Sequence, residues 1–169
     1  MRQRWFDRKF DIVLTVAAAP GLVERLRGTP ARLEERLRGL DPAVLTRRWD
    51  NTWSIQENAG HLGDLEPLWL ARVQDLEQGL PDLRPADLDN RRTFQANHNT
   101  RPLEDVLRVF REARALLVER LERATEADWL RSARHPRLGT PMRLLDLASF
   151  VAEHDDRHLA RITELLRSR

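Results

Sequence analysis

The sequence predicts an all-α protein built around four long helices. Three observations predict it. Leu, Arg, Glu and Ala dominate the 169 residues while Gly occurs only 7 times, a composition that favours helix. Apolar residues recur at three- and four-residue spacing in four separate stretches. Residues that start helices, Ser54 before one stretch, Pro102 and the Thr140-Pro141 pair before others, stand at the expected offsets. The length fits one domain spanning 1–169, and an apolar content of 41% is enough to fill a core.

Residues 1–19 read as an irregular or partly extended N-terminal segment that packs across the helices. The first helix covers about 20–40, with Leu22, Leu26, Leu33, Leu37 and Leu40 as its stripe; Thr29 and Pro30 predict a kink or restart within it. A loop over 41–53 carries Trp49 and Trp53. Ser54-x-x-Glu57 is a capping box that opens the second helix, whose buried face is Ile55, Ala59, Leu62, Leu65, Trp69, Val73 and Leu76. Pro67 should bend this helix, and it should end near 79–81. Glu66 and Asp75 read as helix-surface charge.

A long loop over about 80–100, rich in Asp, Asn, Arg and Pro, follows; loops of that length in a compact domain are often functional. Pro102 opens the third helix, which carries Leu103, Val106, Leu107, Phe110, Leu117 and Leu121 to about residue 123. A turn over 125–130 and an HPRLG loop lead to Thr140 and Pro141, expected to begin the fourth helix. Its stripe is Leu144, Leu147, Val151, His154, His158, Ile162 and Leu165. At ~100° per residue these seven fall within an arc of roughly 80°, so two histidines sit inside a core-facing stripe.

His154 and His158, one turn apart, can reach one ion at ~2.0–2.1 Å. Two hydrogen-bonded core histidines are the competing reading, but burying paired imidazoles is costly unless their nitrogens are satisfied. His61, in Glu57-x3-His61-x2-Asp64 at the edge of the second helix's apolar face, is the natural third ligand, because facing helices of a bundle build such sites. Three histidines leave coordination positions open, the pattern of catalytic rather than structural sites, where water becomes acidic enough to supply hydroxide. Glu57 and Asp64, and also Glu153 and Asp155, lie near enough in sequence to orient imidazoles or act as a base. His98 is read as part of an Asn97–Asn99 turn that could line a pocket, and His135 as structural. Trp49, Trp53, Trp69 and Trp129 read as core or dimer surface.

The segments Trp53-Ser-Ile-Gln-Glu-Asn-Ala-Gly-His61-Leu-Gly-Asp64 and Phe150-Val-Ala-Glu-His154-Asp-Asp-Arg-His158-Leu-Ala-Arg-Ile162 resemble the DinB-like (damage-inducible) superfamily, including its branch called metal-dependent hydrolases. The Trp-Ser helix start, a histidine eight residues after the Trp, and the terminal H-x3-H helix carry the resemblance; His135-Pro136 and Gly139 look like the hydrolase branch. The resemblance implies an antiparallel four-helix bundle with a three-histidine site for a divalent zinc, nickel or manganese ion at His61, His154 and His158. It also implies a homodimer, and either hydrolysis or transfer of a low-molecular-weight thiol such as bacillithiol, mycothiol or glutathione onto a small electrophilic substrate. A non-catalytic, metal-binding dimer of the stress response is the alternative.

Composition narrows these classes. Lys+Arg number 29 against 27 Asp+Glu, a net charge of +2, so the pI of about 10.2 reflects the lack of Tyr and Cys and the single lysine, Lys9, rather than a basic protein. Arginines alternate with acids, as in ERLRGTPARLEERLRGL, which reads as solvated i,i+4 pairs and argues against a nucleic-acid partner. With no cysteine there is no disulfide framework, and any thiol used must be exogenous. No stretch approaches the ~20 apolar residues that span a bilayer, and charges at Asp7, Arg8, Lys9 and Asp11 spoil the VLTVAAAP run as a signal segment. The sequence therefore predicts a cytoplasmic protein with no membrane partner.

Overall fold

In a computed structural model of the chain, the described residues are Trp5, 13–49 and 52–167. The N-terminal segment expected to pack across the bundle lies largely outside them. Trp5 itself stacks edge-on against Phe150 and His154, with ring centroids 5.1 and 5.3 Å away.

Four long helices form the bundle: α1 (Ala19–Leu37), α3 (Ile55–Glu77), α5 (Leu103–Glu122) and α7 (Leu144–Arg167), with short helices α2 (Pro42–Leu45), α4 (Arg91–Gln95) and α6 (Glu126–Leu130) between them. α5 packs on α1 and α3, and so does α7, so α1 and α3 occupy one diagonal and α5 and α7 the other. No helix among the described residues is long and apolar enough to cross a membrane.

One expected cap forms, and a second stands in the segment read as a turn. Ser54 and Glu57 complete both bonds of the capping box at the start of α3, and Thr125 and Asp128 do the same for α6. Two expectations need correction. The fourth helix begins at Leu144, because Pro141–Arg143 is instead strand β2, paired antiparallel with β1 (Ser132–Arg134). The HPRLG loop is the turn of that hairpin, closed by Gly139 at φ 70°. Nor does α1 break at Pro30. A proline removes the N–H that would bond to the carbonyl four residues back, here that of Leu26, and Arg114 Nη1 donates to this carbonyl at 3.1 Å instead.

Arg114 belongs to a polar layer that divides the core. Leu22, Leu26, Trp69, Val73, Leu117, Leu121, Leu145 and Val151 pack in one apolar cluster, and Leu33, Leu37, Ile55, Leu62, Val106, Phe110 and Ile162 in another. Between them each long helix contributes one buried polar side chain: Thr29, Glu66, Arg114 and Asp155. Arg114 forks onto Glu66 through Nη2 (2.6 Å) and onto Asp155 through Nη1 (2.5 Å), and the Thr29 hydroxyl donates to Asp155 at 2.9 Å. Glu66 is thus not surface charge. Asp75 is not either: it is 2% exposed and held in a bidentate grip by Arg84.

Candidate metal centre

The bundle brings together the three histidines that the sequence separates by up to 97 positions. His61 comes from α3, and His154 and His158 from successive turns of α7. One nitrogen from each lies within 4.8 Å of the other two, and ring centroids are 4.6 to 5.3 Å apart. His61 and His154 are buried, and His158 is partly exposed.

Their outer nitrogens are controlled. His158 Nδ1 lies 2.9 Å from Asn58 Oδ1. The Asn58 amide donates to the carbonyls of Ser54 (2.7 Å) and Trp53 (3.3 Å), so it is the oxygen that faces His158, and His158 must carry its proton on Nδ1. His61 Nδ1 lies 2.9 Å from Thr93 Oγ1, and the Thr93 hydroxyl bonds to Asp64. A carboxylate only accepts, so Thr93 donates to Asp64 and accepts from His61. In the neutral ring of either histidine, Nε2 is then bare. His154 Nδ1 is buried with no hydrogen-bond partner.

Burial holds His154 far below the ordinary imidazole pKa, helped by the nearby His61, Arg114 and Arg157. Burial likewise lowers His61 to about 4, against the attraction of Asp64. Both are neutral at pH 7, as metal ligands must be. Three imidazoles are a nitrogen donor set suited to first-row transition ions rather than to Ca²⁺ or Mg²⁺, which take oxygen ligands. The residues present therefore fit such an ion.

Of the carboxylates considered from sequence, only Asp64 connects to the imidazoles. Burial pushes its pKa up, but hydrogen bonds from His98 and Thr93 outweigh this and hold it below the usual carboxylate value. Glu57 is engaged by the Ser54 N–H (2.9 Å) and by Arg48 (2.8 Å from Nε). Asp155 serves the polar layer, and Glu153 accepts from Arg25 at 2.7 Å. His98 is buried and donates to Asp64 over 2.8 Å; its ring lies against Gly60, where a Cβ would meet it at 2.4 Å. Sequence reasoning missed Asn58 and Thr93. Asn58 could have been found from its place one turn before His61, whereas nothing local marks Thr93 within its loop.

A cavity of about 380 Å³ opens beside the histidines. Trp5, Trp53, Trp69, Leu65, Leu68 and Phe150 give it apolar walls, and residues 85–88 and Asn90 of the long loop line it as well. Trp69 is core, as expected, and also walls this cavity, whereas Trp53, expected in the core or on a dimer surface, lines the cavity. Trp129 is core, and Arg47 stacks on Trp49.

Comparison with known proteins agrees with this architecture. The fold matches that of YfiT from Bacillus subtilis, described as a probable metal-dependent hydrolase with an unusual four-helix bundle topology. The TM-score is 0.84 at 21% identity, covering 95% of this chain and 93% of that one. No curated protein matches the chain. The model of the DinB superfamily matches residues 25–162, a span that contains all four long helices in large part and all three clustered histidines, and the chain belongs to that superfamily.

Proposed function

We propose that the protein is a metal-dependent enzyme in which His61, His154 and His158 hold one divalent zinc, nickel or manganese ion, and that it carries out hydrolysis or thiol transfer on a small molecule in the adjoining cavity. The convergence of three imidazoles from two helices beside an apolar cavity supports this reading. When bound, such an ion lowers the pKa of water or of a thiol toward neutrality. Three nitrogens mutually within 4.8 Å lie within ~2.8 Å of a common point, so bonds of ~2.1 Å require each to move inward by less than ~1 Å.

The chain's own residues prepare the site. Asn58 and Thr93 keep Nε2 of His158 and His61 free of protons, and Asp64 acts through Thr93 as a positioning residue rather than as a base. Glu57 fixes the start of α3, and so the height at which His61 stands. The tryptophans exclude water and offer flat apolar surface to a substrate. With no cysteine in the sequence, thiol transfer requires an exogenous thiol.

The test is a reaction panel on zinc-, nickel- and manganese-loaded protein, with esters and amides in one arm and small electrophiles plus low-molecular-weight thiols in the other. Turnover that His158→Ala lowers at least 100-fold is expected in one arm. Turnover undiminished by that substitution, or none with any metal in either arm, would reject the enzymatic reading.

A further inference from the structure

The cavity has a second chemical pole away from the histidine cluster. Arg72 of α3 is 1% exposed and lines the cavity together with His135, Arg137 and Arg157. Its Nε donates to the Arg84 carbonyl at 3.1 Å, but its Nη2 is buried with no hydrogen-bond partner. Among the described residues no carboxylate forms an ion pair with it. The nearest acid along its helix, Asp75, is held by Arg84. Asp87, the one acid lining the cavity among the described residues, accepts the backbone N–H groups of Asp89 and Arg91 at 3.1 and 2.7 Å.

His135 sharpens the deficit. It stands at the hairpin turn, and its Nδ1 accepts the backbone N–H groups of Arg137 and Leu138, both at 3.2 Å. Nδ1 therefore carries no proton, and in the neutral ring the proton is on Nε2. Burial, with the nearby Arg72 and Arg137, lowers its pKa to about 4, so the ring is neutral. Yet Nε2 lies 3.2 Å from Arg72 Nη1, another donor. Two donors face each other, a third N–H group on Nη2 is unmatched, and no acceptor serves them. Burying guanidinium N–H groups that lack acceptors is costly. An anionic oxygen is the group that would satisfy all three at once.

We propose that Arg72 and His135 form an anion subsite, and that the ligand of this cavity is a small molecule with an anionic group, a carboxylate or a phosphonate-like oxyanion, on an apolar body. The geometry suits such a ligand. Trp69 stands between the two poles, its ring 5.8 Å from that of His154 and 5.6 Å from Arg72 Cζ. Phe150 lies 5.5 Å from His135. An apolar body on Trp69 and Phe150 would leave its anion at Arg72 and its other end at the histidine cluster. This names the substrate class of the enzyme proposed above and rests on that reading only for the reaction, since the anion subsite does not require the metal.

The experiment measures binding to metal-free, full-length protein by calorimetry, so that an acid cannot be drawn to the ion. The probes are 4-phenylbutyrate, its neutral amide, and 3-phenylpropylphosphonate. The carboxylate or the phosphonate should bind at least tenfold more tightly than the amide, and the tighter of the two names the anion. Arg72→Gln should abolish the preference, and Arg72→Lys should keep part of it. Equal affinity of acid and amide for the wild-type protein overturns the subsite, whether or not the variants fold. A preference that persists in folded Arg72→Gln overturns its assignment to Arg72. Loss of metal binding or turnover elsewhere would leave this measurement untouched.

Discussion

His158 Nδ1 meets Asn58 Oδ1 at 2.9 Å, across two helices and 100 residues, and the Asn58 amide is in turn fixed on the carbonyls where α3 begins. The same turn that caps α3 thus orients an imidazole of α7. Removing the acceptor with Asn58→Leu should weaken metal affinity by roughly 10–100-fold, the usual effect of losing such a partner. Asn58→Asp should retain most of it. Thr93→Val should act in the same way on His61, and Thr93→Ser should rescue it. Competition against a chromogenic chelator measures each.

Gly60 has no room for a side chain. A methyl group there would overlap the His98 ring, which is buried and tethered to Asp64. Gly60→Ala is expected to cost about 1–3 kcal/mol, as overpacking does, and to loosen the Asp64–Thr93–His61 chain. Urea denaturation combined with the chelator competition should show both losses together.

Arg114 is the cation that holds Glu66 and Asp155 in the polar layer, and both carboxylates lie within 3.1 Å of it. Arg114→Met would leave two buried acids unpaired and the Leu26 carbonyl without a donor. Breaking a buried pair in this way costs about 3–5 kcal/mol. Denaturation midpoints should show a drop of that size at pH 7, and a smaller one at pH 4, where the acids can take up protons.

Two groups give stability a pH dependence of opposite sign in metal-free protein. His135 is depressed to about 4 by burial and then by Arg72 and Arg137. Unfolded, it takes up a proton near its ordinary 6.5, so its contribution is complete above pH 6.5 and is lost as pH falls toward 4, at up to ~1.4 kcal/mol per pH unit. Glu66 is raised to about 7 by burial, against Arg114, so its contribution is present below about 4.5 and is lost as pH rises through 7. Over about pH 4.5–6.5 the two slopes oppose each other, so His135→Gln should make stability fall with rising pH there, and Glu66→Gln should make it rise. Urea titrations at pH 4.5, 6 and 8 separate the two.

The four helices were legible because each buries a stripe at helical spacing, and the His154/His158 pair because it sits within one. The partnership with His61 was legible through the capping-box segment before it. What sequence could not show was where charge goes inside. Glu66 and Asp75 carry the same local pattern as solvated acids. They are buried because Arg114, 48 residues beyond Glu66 on another helix, and Arg84, in the loop after α3, reach them. Thr93 and His135 take their roles from a short loop helix and a hairpin turn, which have no periodicity to read. Pro141 resembled a helix start and became a strand because the hairpin pairs it with Arg134.

The central claim, one ion shared by His61, His154 and His158, is tested most directly by X-ray absorption spectroscopy on protein purified without chelators. The expected result is one transition element per chain, with imidazole nitrogen at ~2.0–2.1 Å in a number that falls in His61→Ala and His158→Ala. Protein that carries no such element after loading with zinc, nickel or manganese, or a metal shell unchanged by either substitution, would contradict it.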